Sequence, residues 1–165
     1  MPAQARPRLD SRLEAEGAEF LVLGQLLLSG IPAHKSYTRY PGFDLTALNP
    51  ATGKSCKIQV KSRWATDYDR TFPLKRGSDC DFVVFAELNR GFRGYGKNGS
   101  SGGVAVKAPR FFVFPFKVVD SVIYVAGSWS KVKLASVPNA DIYLDRWDLI
   151  RKFLRLPAVA APEES

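Results

Sequence analysis

Apolar residues repeat at three- and four-residue steps near the start of the chain, and in shorter alternating runs farther along it. The first pattern predicts a helix that begins at Asp10 or Ser11 and continues to Ser29. Gly30 and Pro32 follow this helix and supply its stop. Strand-like runs cover 43–48, 54–63, 81–88, 110–115 and 122–126, and a second helical pattern covers 141–154. This order of elements predicts a mixed α/β fold.

The first two strand-like runs form a predicted hairpin around a turn at 49–53. In the second run Cys56, Ile58 and Val60 point to one face, and Lys57, Gln59 and Lys61 point to the other. When the two runs pair across the turn, Asp44 falls opposite the far end of the second strand, near Gln59 and Lys61. A carboxylate, an amide oxygen and an ammonium group are therefore predicted to converge at one end of the hairpin.

The length of 165 residues fits one domain, expected over 11–156, with a frayed segment at 1–10 and a flexible tail at 157–165. The longest apolar run, 20–28, is shorter than the roughly 20 residues that a spanning helix needs. The N-terminal region mixes acidic with basic residues and lacks a secretory pattern. The two cysteines form no CxxC pair. These features predict a cytoplasmic protein without a membrane segment.

The positive charge of the chain is concentrated in one stretch. Residues 90–133 hold eight basic side chains and one acidic side chain, so they carry seven of the eight net positive charges. This stretch includes a glycine-rich region, 89–109, in which basic and aromatic residues are interleaved. A concentrated positive patch suits a polyanionic partner, and we expect Arg90, Arg93 and Lys97 to contact DNA phosphates. The alternative is a solvated, flexible loop.

The histidine content restricts the chemistry that is available. His34 is the single histidine, which excludes nuclease designs built on a histidine pair and any histidine-rich metal site. His34 could act as a general base, although a lone histidine in a loop is more often a bystander on the surface. Oxygen ligands remain, and these suit a hard cation such as Mg²⁺ or Mn²⁺. Asp44, Gln59 and Lys61 are the set that phosphodiester hydrolysis needs, with a metal ion to activate water and a lysine to orient it or to stabilise charge.

These residues, with Glu19 in the first helix and the segments 42–45 and 58–63, resemble the PD-(D/E)xK nuclease superfamily. The closer likeness is to the group of archaeal Holliday junction resolvases and to bacterial members with Gln-x-Lys, among them an intron-encoded homing endonuclease. The resemblance covers roughly residues 12–88. It implies a restriction-endonuclease-like αβββαβ core with a central mixed sheet flanked by helices, and a magnesium-dependent DNA endonuclease.

The resemblance also implies a role for each site residue. Asp44 would be the central metal ligand, Gln59 a ligand through its side-chain oxygen, and the carbonyl of Val60 a neighbouring ligand. Lys61 would be the catalytic lysine. Glu19 would complete the metal site or position water, with Glu16, three residues earlier, and Glu14, five residues earlier, as competitors. Arg39, Lys57 and Arg63 lie near this set in sequence and are expected to steer the DNA backbone.

Two departures from the superfamily pattern bear on activity. Phe43 precedes Asp44 where many members have proline, which changes little. Gln59 replaces the usual Glu or Asp, so the site has one less negative charge and is expected to bind a single metal ion more weakly. A catalytically inactive nucleic-acid-binding module of the same fold is therefore an open alternative.

A third reading is an RNA-binding or partner-binding protein in which the Gln-x-Lys match is accidental. Substrate preference, branched or duplex DNA included, is left open by the sequence, and so is a homodimer, which many members form.

Overall fold

The computed structural model describes residues 10–37, 42–66, 70–91 and 106–159. Three α-helices are present: α1 (Ser11–Leu28), α2 (Phe116–Asp120) and α3 (Trp147–Leu154). The strands are β1 (Ala33–Lys35), β2 (Leu45–Leu48), β3 (Ser55–Arg63), β4 (Thr71–Pro73), β5 (Phe82–Glu87), β6 (Arg110–Pro115), β7 (Tyr124–Ala126) and β8 (Trp129–Lys133). Short 3-10 helices cover Leu134–Ser136 and Ala140–Tyr143.

The first helix begins and ends where its sequence signals predict. The Asp10 side chain accepts a hydrogen bond from the Arg12 amide at 2.8 Å, which satisfies one of the unpaired donors of the first turn. Gly30 follows the helix with φ of +68°, a conformation that glycine adopts without a Cβ clash. Ala18, Val22 and Leu26 form the fully buried stripe of the helix. This stripe holds α1 against the sheet.

Five strands form the central sheet in the order β1-β2-β3-β5-β6. The pairs β1-β2, β2-β3 and β5-β6 are antiparallel, whereas β3 and β5 are parallel. In the β2-β3 hairpin, Leu45 pairs with Ile58 and Leu48 pairs with Ser55. The start of β2 and the carboxyl end of β3 therefore meet at the same edge of the sheet.

Two buried clusters cover the two faces of this sheet. One packs α1 and α3 against Ile58, Val60 and Val84, and the other packs α2 against Val83 and Phe85. The strand β5 is buried at all six positions, as expected for a strand covered on both faces. The predicted α/β class, with a central mixed sheet flanked by helices, is confirmed.

A second sheet, of order β4-β8-β7, packs on the face that α2 also covers. Its strand β4 lies in the connection between β3 and β5, where the αβββαβ order implied a helix. The described residues of that connection, 64–66 and 70–81, contain β4 and no helix. Phe72 and Leu74 explain the difference, because their side chains are buried in the second cluster while β4 pairs with β8.

The C-terminal helix is shorter than predicted. Helical structure was expected over 141–154, whereas α3 begins at Trp147. Asp145 adopts a φ of +51°, and its amide donates to the Phe111 carbonyl at 2.8 Å, so the chain turns there before the helix begins. Within the described residues, no helix is both long and apolar enough to span a membrane.

Candidate active site

The carboxylate of Asp44 lies against the backbone of β3 at the sheet edge. Its Oδ2 accepts the Val60 amide at 2.7 Å, and its own amide donates to the Ile58 carbonyl at 2.8 Å. Asp44 precedes β2, which begins at Leu45. Its side chain therefore accepts the Val60 amide in place of a backbone carbonyl of a paired strand. Two residues earlier, Gly42 has φ of +116°, and a Cβ there would lie 3.1 Å from the Asp79 amide nitrogen. A glycine is therefore required in the turn that delivers Asp44.

Gln59 and Lys61 lie on the face of β3 opposite to the α1 cluster. In the parallel pairing they stand beside Val83 and Phe85, which belong to the second cluster. Leu45 pairs with Ile58 in the hairpin, and continuing this register by one residue places Asp44 across from Gln59. The structure therefore brings together the three residues that the sequence predicted to converge.

Gln59 carries an unsatisfied polar atom. Its Oε1 is buried and has no hydrogen-bond partner among the described residues. A buried amide oxygen without a partner costs about 1–3 kcal/mol, so such an atom in a native site calls for a ligand or a bound solvent molecule. This oxygen lies in the residue directly across the hairpin from the Asp44 carboxylate.

The electrostatics of Lys61 and Asp44 are coupled. Burial lowers the pKa of Lys61 from its ordinary value, and the nearby Asp44 carboxylate opposes this change. Burial raises the pKa of Asp44, against the Val60 hydrogen bond and the positive charges of Lys61 and Lys35. For both groups desolvation outweighs the attraction between them. The site therefore holds two charged groups that the fold does not fully compensate.

Glu19 reaches this site from α1 but is already paired. Its Oε2 lies 2.9 Å from Lys35 Nζ, and its side chain is 17% exposed. Burial raises the pKa of Glu19, the hydrogen bond from Lys35 lowers it, and the Asp44 charge raises it further. Glu19 is thus within electrostatic reach of Asp44, with the Lys35 ammonium as its direct partner.

The two competing glutamates have other contacts. Glu16 also forms an ion pair with Lys35 and is 53% exposed, so it lies on the solvent side of that ammonium. Glu14 Oε1 accepts from Ser62 Oγ at 3.4 Å. The charge of Glu19 interacts with that of Asp44. Sequence reasoning missed Lys35, because β1 is too short to show a periodic pattern.

In a β-strand the amide and the carbonyl of one residue point toward the same neighbouring strand. The carbonyl of Val60 therefore faces the same side as the Val60 amide. The amide is directed to Asp44, so the carbonyl points past the start of β2 rather than toward β5. None of the described residues before β2 donates a backbone hydrogen bond to it. Val60 therefore offers an oxygen next to the Asp44 carboxylate.

Three of the predicted DNA-contacting residues are described by the structure, and each has a different environment. Lys57 Nζ is 2.7 Å from Asp79 Oδ2, and this exposed pair raises the pKa of Lys57. Arg63 donates from Nε to the Thr71 carbonyl and ties β3 to β4. Arg90 is exposed just after β5, where its amide donates to the Trp64 carbonyl at 2.8 Å. Arg39, Arg93 and Lys97 lie outside the described residues.

Two other reactive side chains do not add to the site. Burial raises the pKa of the Cys80 thiol to about 12, so a thiolate is not available beside Lys61 at neutral pH. His34 is exposed on β1, where it pairs with Thr46. The chemistry of the site is therefore that of oxygen ligands and one lysine.

An open cleft of about 480 Å³ adjoins Gln59 and Lys61. Its other wall is formed by the second sheet and the β7-β8 turn, through Pro73, Leu74, Lys75, Ser128, Trp129 and Ser130. A ligand in this cleft would lie against Gln59 and Lys61. Sequence reasoning missed Trp129 and Lys75 as neighbours of the site; the alternation of Trp129, Lys131 and Lys133 was the available signal.

No protein-family model matches the sequence, and no curated protein matches it. The fold is similar to the solved structure of a bacterial homing endonuclease, I-Ssp6803I. The TM-score is 0.56 at 22% sequence identity, and the match covers 87% of this chain and 93% of that chain. At this identity the likeness establishes a shared fold over nearly the whole of both chains.

Proposed function

We propose that this chain is a metal-dependent DNA endonuclease of the PD-(D/E)xK type, with its active site at Asp44, Gln59 and Lys61. The observation that carries the proposal is the buried, unpartnered Oε1 of Gln59 across the hairpin from the Asp44 carboxylate. Both oxygens lie at the same sheet edge as Lys61. The similarity in fold to a homing endonuclease supports DNA as the substrate.

The donor atoms at this edge fit a hard divalent cation such as Mg²⁺ or Mn²⁺. Asp44, the Oε1 of Gln59 and the Val60 carbonyl are oxygen donors of the kind that Mg²⁺ accepts. The described residues contain no group of three or more His, Cys, Asp or Glu side chains that could hold a metal ion, so neutral oxygens would have to supply the other ligands beside Asp44. The site is therefore one of low ligand charge, as Gln59 in place of a carboxylate implies.

Each residue has a separate task in the proposed reaction. A bound cation would polarise the scissile phosphate and activate the attacking water. Lys61 holds a positive charge beside the phosphate position and stabilises the negative charge that develops during attack. Asp44, fixed by the Val60 amide, sets the position of the cation site relative to Lys61. Glu19 holds the Lys35 ammonium near the same site and orients solvent from the α1 side.

The second candidate is a DNA-binding module that has lost cleavage. The observations that favour it are the neutral amide at Gln59 and the engagement of Glu19 by Lys35, so that Asp44 alone of these three residues offers an unpaired carboxylate charge to the site. In that case the fold and the basic surface would serve binding alone.

The experiment that separates the two candidates is a cleavage and binding assay with labelled branched, single-stranded and duplex DNA, and with RNA. Each substrate is tested in Mg²⁺, in Mn²⁺ and in EDTA. Cleavage of DNA that requires either metal supports the nuclease, and binding without cleavage in any metal supports the module. The absence of both binding and cleavage would refute both candidates.

A further inference from the structure

The outward face of the second sheet alternates basic and aromatic side chains. In β8, Val132 is buried, so Trp129, Lys131 and Lys133 lie on the opposite, outward face. Tyr124 of β7 pairs with Lys131, which places it on the same face. The Lys133 ammonium lies 5.4 Å from the centre of the Tyr124 ring. We refer to these four residues as the β8 face.

The segments that form this sheet carry positive charge without acidic residues. Residues 70–78 and 121–134 contain five basic side chains and no Asp or Glu. Two of the five have internal partners, since Arg70 pairs with Glu87 and Arg76 donates to the Ile123 carbonyl. The other three are Lys75, Lys131 and Lys133.

Three acidic residues flank these segments in sequence; Asp69 lies outside the described residues, and the other two have partners within the protein. Asp120 accepts the Gly77 amide at 3.1 Å, and Asp79 pairs with Lys57 at 2.7 Å. The net charge of the β8 face and its surroundings is therefore positive. Such a surface is complementary to a phosphate backbone.

Trp129 stands at the point where this face meets the proposed active site. It follows the two-residue turn of Gly127 and Ser128, in which Gly127 has φ of +63°. Such a tight hairpin fixes the backbone at Trp129, whose side chain is 65% exposed. A large exposed aromatic side chain beside a cleft that contains Lys61 is a stacking surface for a base.

The cleft is open, and its volume of about 480 Å³ is enough for a nucleotide. A base offers a free ring face to Trp129 only when it has left the helical stack. In that position its phosphate would face Gln59 and Lys61. The lysines of the β8 face would follow the backbone of the same strand.

We infer that the β8 face is a DNA-binding surface and that Trp129 stacks on an unpaired base next to the scissile phosphate. This inference rests on the proposed function for the identity of the partner, and it specifies the substrate class as DNA with unpaired nucleotides at the cleavage position. Trp129 would form a wall of the DNA site opposite Gln59 and Lys61 of β3.

The test measures DNA binding in Ca²⁺ or EDTA, so that it does not depend on cleavage. Anisotropy of labelled single-stranded and blunt duplex DNA is compared for the wild type, Trp129→Ala, Trp129→Phe and Val125→Ala. Val125 is the matched control, because it lies on the same hairpin and is 72% exposed. We expect Trp129→Ala to weaken single-strand binding about tenfold, with a smaller effect on duplex, and Trp129→Phe to restore most of the loss.

Two further readouts distinguish stacking from a structural effect. DNA is expected to quench the tryptophan fluorescence of the wild type more strongly than that of Trp129→Phe, since Trp147 is only 7% exposed and Trp64 is partly buried against the first cluster. Replacing both Lys131 and Lys133 by alanine is expected to lower the slope of log Kd against log salt concentration by about 2.

Wild-type affinity in Trp129→Ala, with an unchanged salt slope in the double lysine variant, would overturn the inference and leave the proposed nuclease standing. Loss of single-strand affinity in Trp129→Ala would support the inference. If the wild type also left the substrate uncleaved in Mg²⁺, the nuclease would be refuted while the inference stood. Failure of the wild type to bind DNA at any salt concentration would overturn both.

Discussion

The side chain of Asp44 accepts the backbone amide of Val60 at 2.7 Å, so the carboxylate is fixed by the strand that also carries Gln59 and Lys61. A rigid element of the scaffold thus sets the distance between the acidic and basic groups of the site. Positioning of this kind restricts the rotamers of Asp44 before any ligand binds. The same arrangement buries charge, and its consequences for stability can be measured.

Replacing Asp44 by asparagine is expected to stabilise the metal-free protein by about 1 kcal/mol. The amide retains an acceptor for the Val60 N–H but removes a charge whose pKa burial raises above its ordinary value of 3.8. Because the folded state holds the Asp44 proton more tightly than the unfolded state, ionisation costs stability. The difference in unfolding free energy between the variant and the wild type should be largest at neutral pH. It should disappear as the pH falls through the raised pKa of Asp44 to about 4. Urea denaturation in EDTA over this pH range measures it.

The matched control is Asp148→Asn, for which the opposite sign is expected. Arg146 and Lys152 hold the pKa of Asp148 at about 2. Ionised Asp148 therefore contributes stability above an ordinary pKa of 3.8, and that contribution is lost as the pH falls toward about 2. The side chain is 42% exposed, so solvent screening keeps the effect small. Destabilisation by Asp44→Asn at pH 7 would show that the Asp44 charge is well compensated in the fold.

Divalent metal binding is expected to weaken as the pH is lowered. A proton and a cation compete for the Asp44 carboxylate, and burial raises the pKa of this group, so competition begins at a higher pH than for an exposed aspartate. Titration calorimetry with Mn²⁺ between pH 4 and pH 8 would measure the apparent Kd and the number of protons released. The dependence on pH should be absent in Asp44→Asn. An affinity that is constant over this range in the wild type would exclude Asp44 as a ligand.

Gln59→Glu is expected to raise Mg²⁺ affinity about tenfold, because a carboxylate is a stronger ligand than an amide oxygen. The control is Lys57→Gln, which makes the same change in net charge two residues away without adding an oxygen to the site. If the two variants raise the affinity equally, the effect is one of general charge and Gln59 is not a ligand. Gln59→Leu removes the buried, unpartnered oxygen and should weaken binding.

Asn49→Ala is expected to destabilise the fold by about 1–3 kcal/mol. The Asn49 side chain is 5% exposed, and its Nδ2 donates to the Leu154 carbonyl at 3.0 Å, which joins the hairpin turn to the end of α3. Its loss leaves a buried carbonyl without this donor. Thr52→Ala in the same turn removes an exposed hydrogen bond and should change the unfolding free energy by less than about 0.5 kcal/mol. Equal values for the two variants would contradict this role of Asn49.

The central elements of the fold could be predicted because their signals are local. Strict alternation in β3 and a clear turn at 49–53 determine the register, and the register alone places Asp44 across from Gln59. The start of α3 could not be predicted, because the left-handed conformation of Asp145 depends on its hydrogen bond to Phe111 in another element.

The remaining features of the site also depend on tertiary contacts. Lys35 pairs with Glu19 across a gap of fifteen residues and lies on a three-residue strand, which is too short for a periodic pattern. Trp129 adjoins Lys61 only because β4 and β8 form a second sheet over β3. Sequence periodicity reports which face of a strand is buried, but it does not report which element covers that face.

The central claim is that Lys61 acts at the reacting phosphate, and the most direct measurement is the single-turnover cleavage rate of DNA at saturating Mg²⁺. Lys61→Met is compared with Lys57→Met, an equivalent change four residues earlier on the same face of β3, at a lysine paired with Asp79. We predict that Lys61→Met lowers the rate at least about a hundredfold with little change in DNA affinity, and that Lys57→Met cleaves within a few-fold of the wild-type rate. Wild-type cleavage by Lys61→Met would contradict the account.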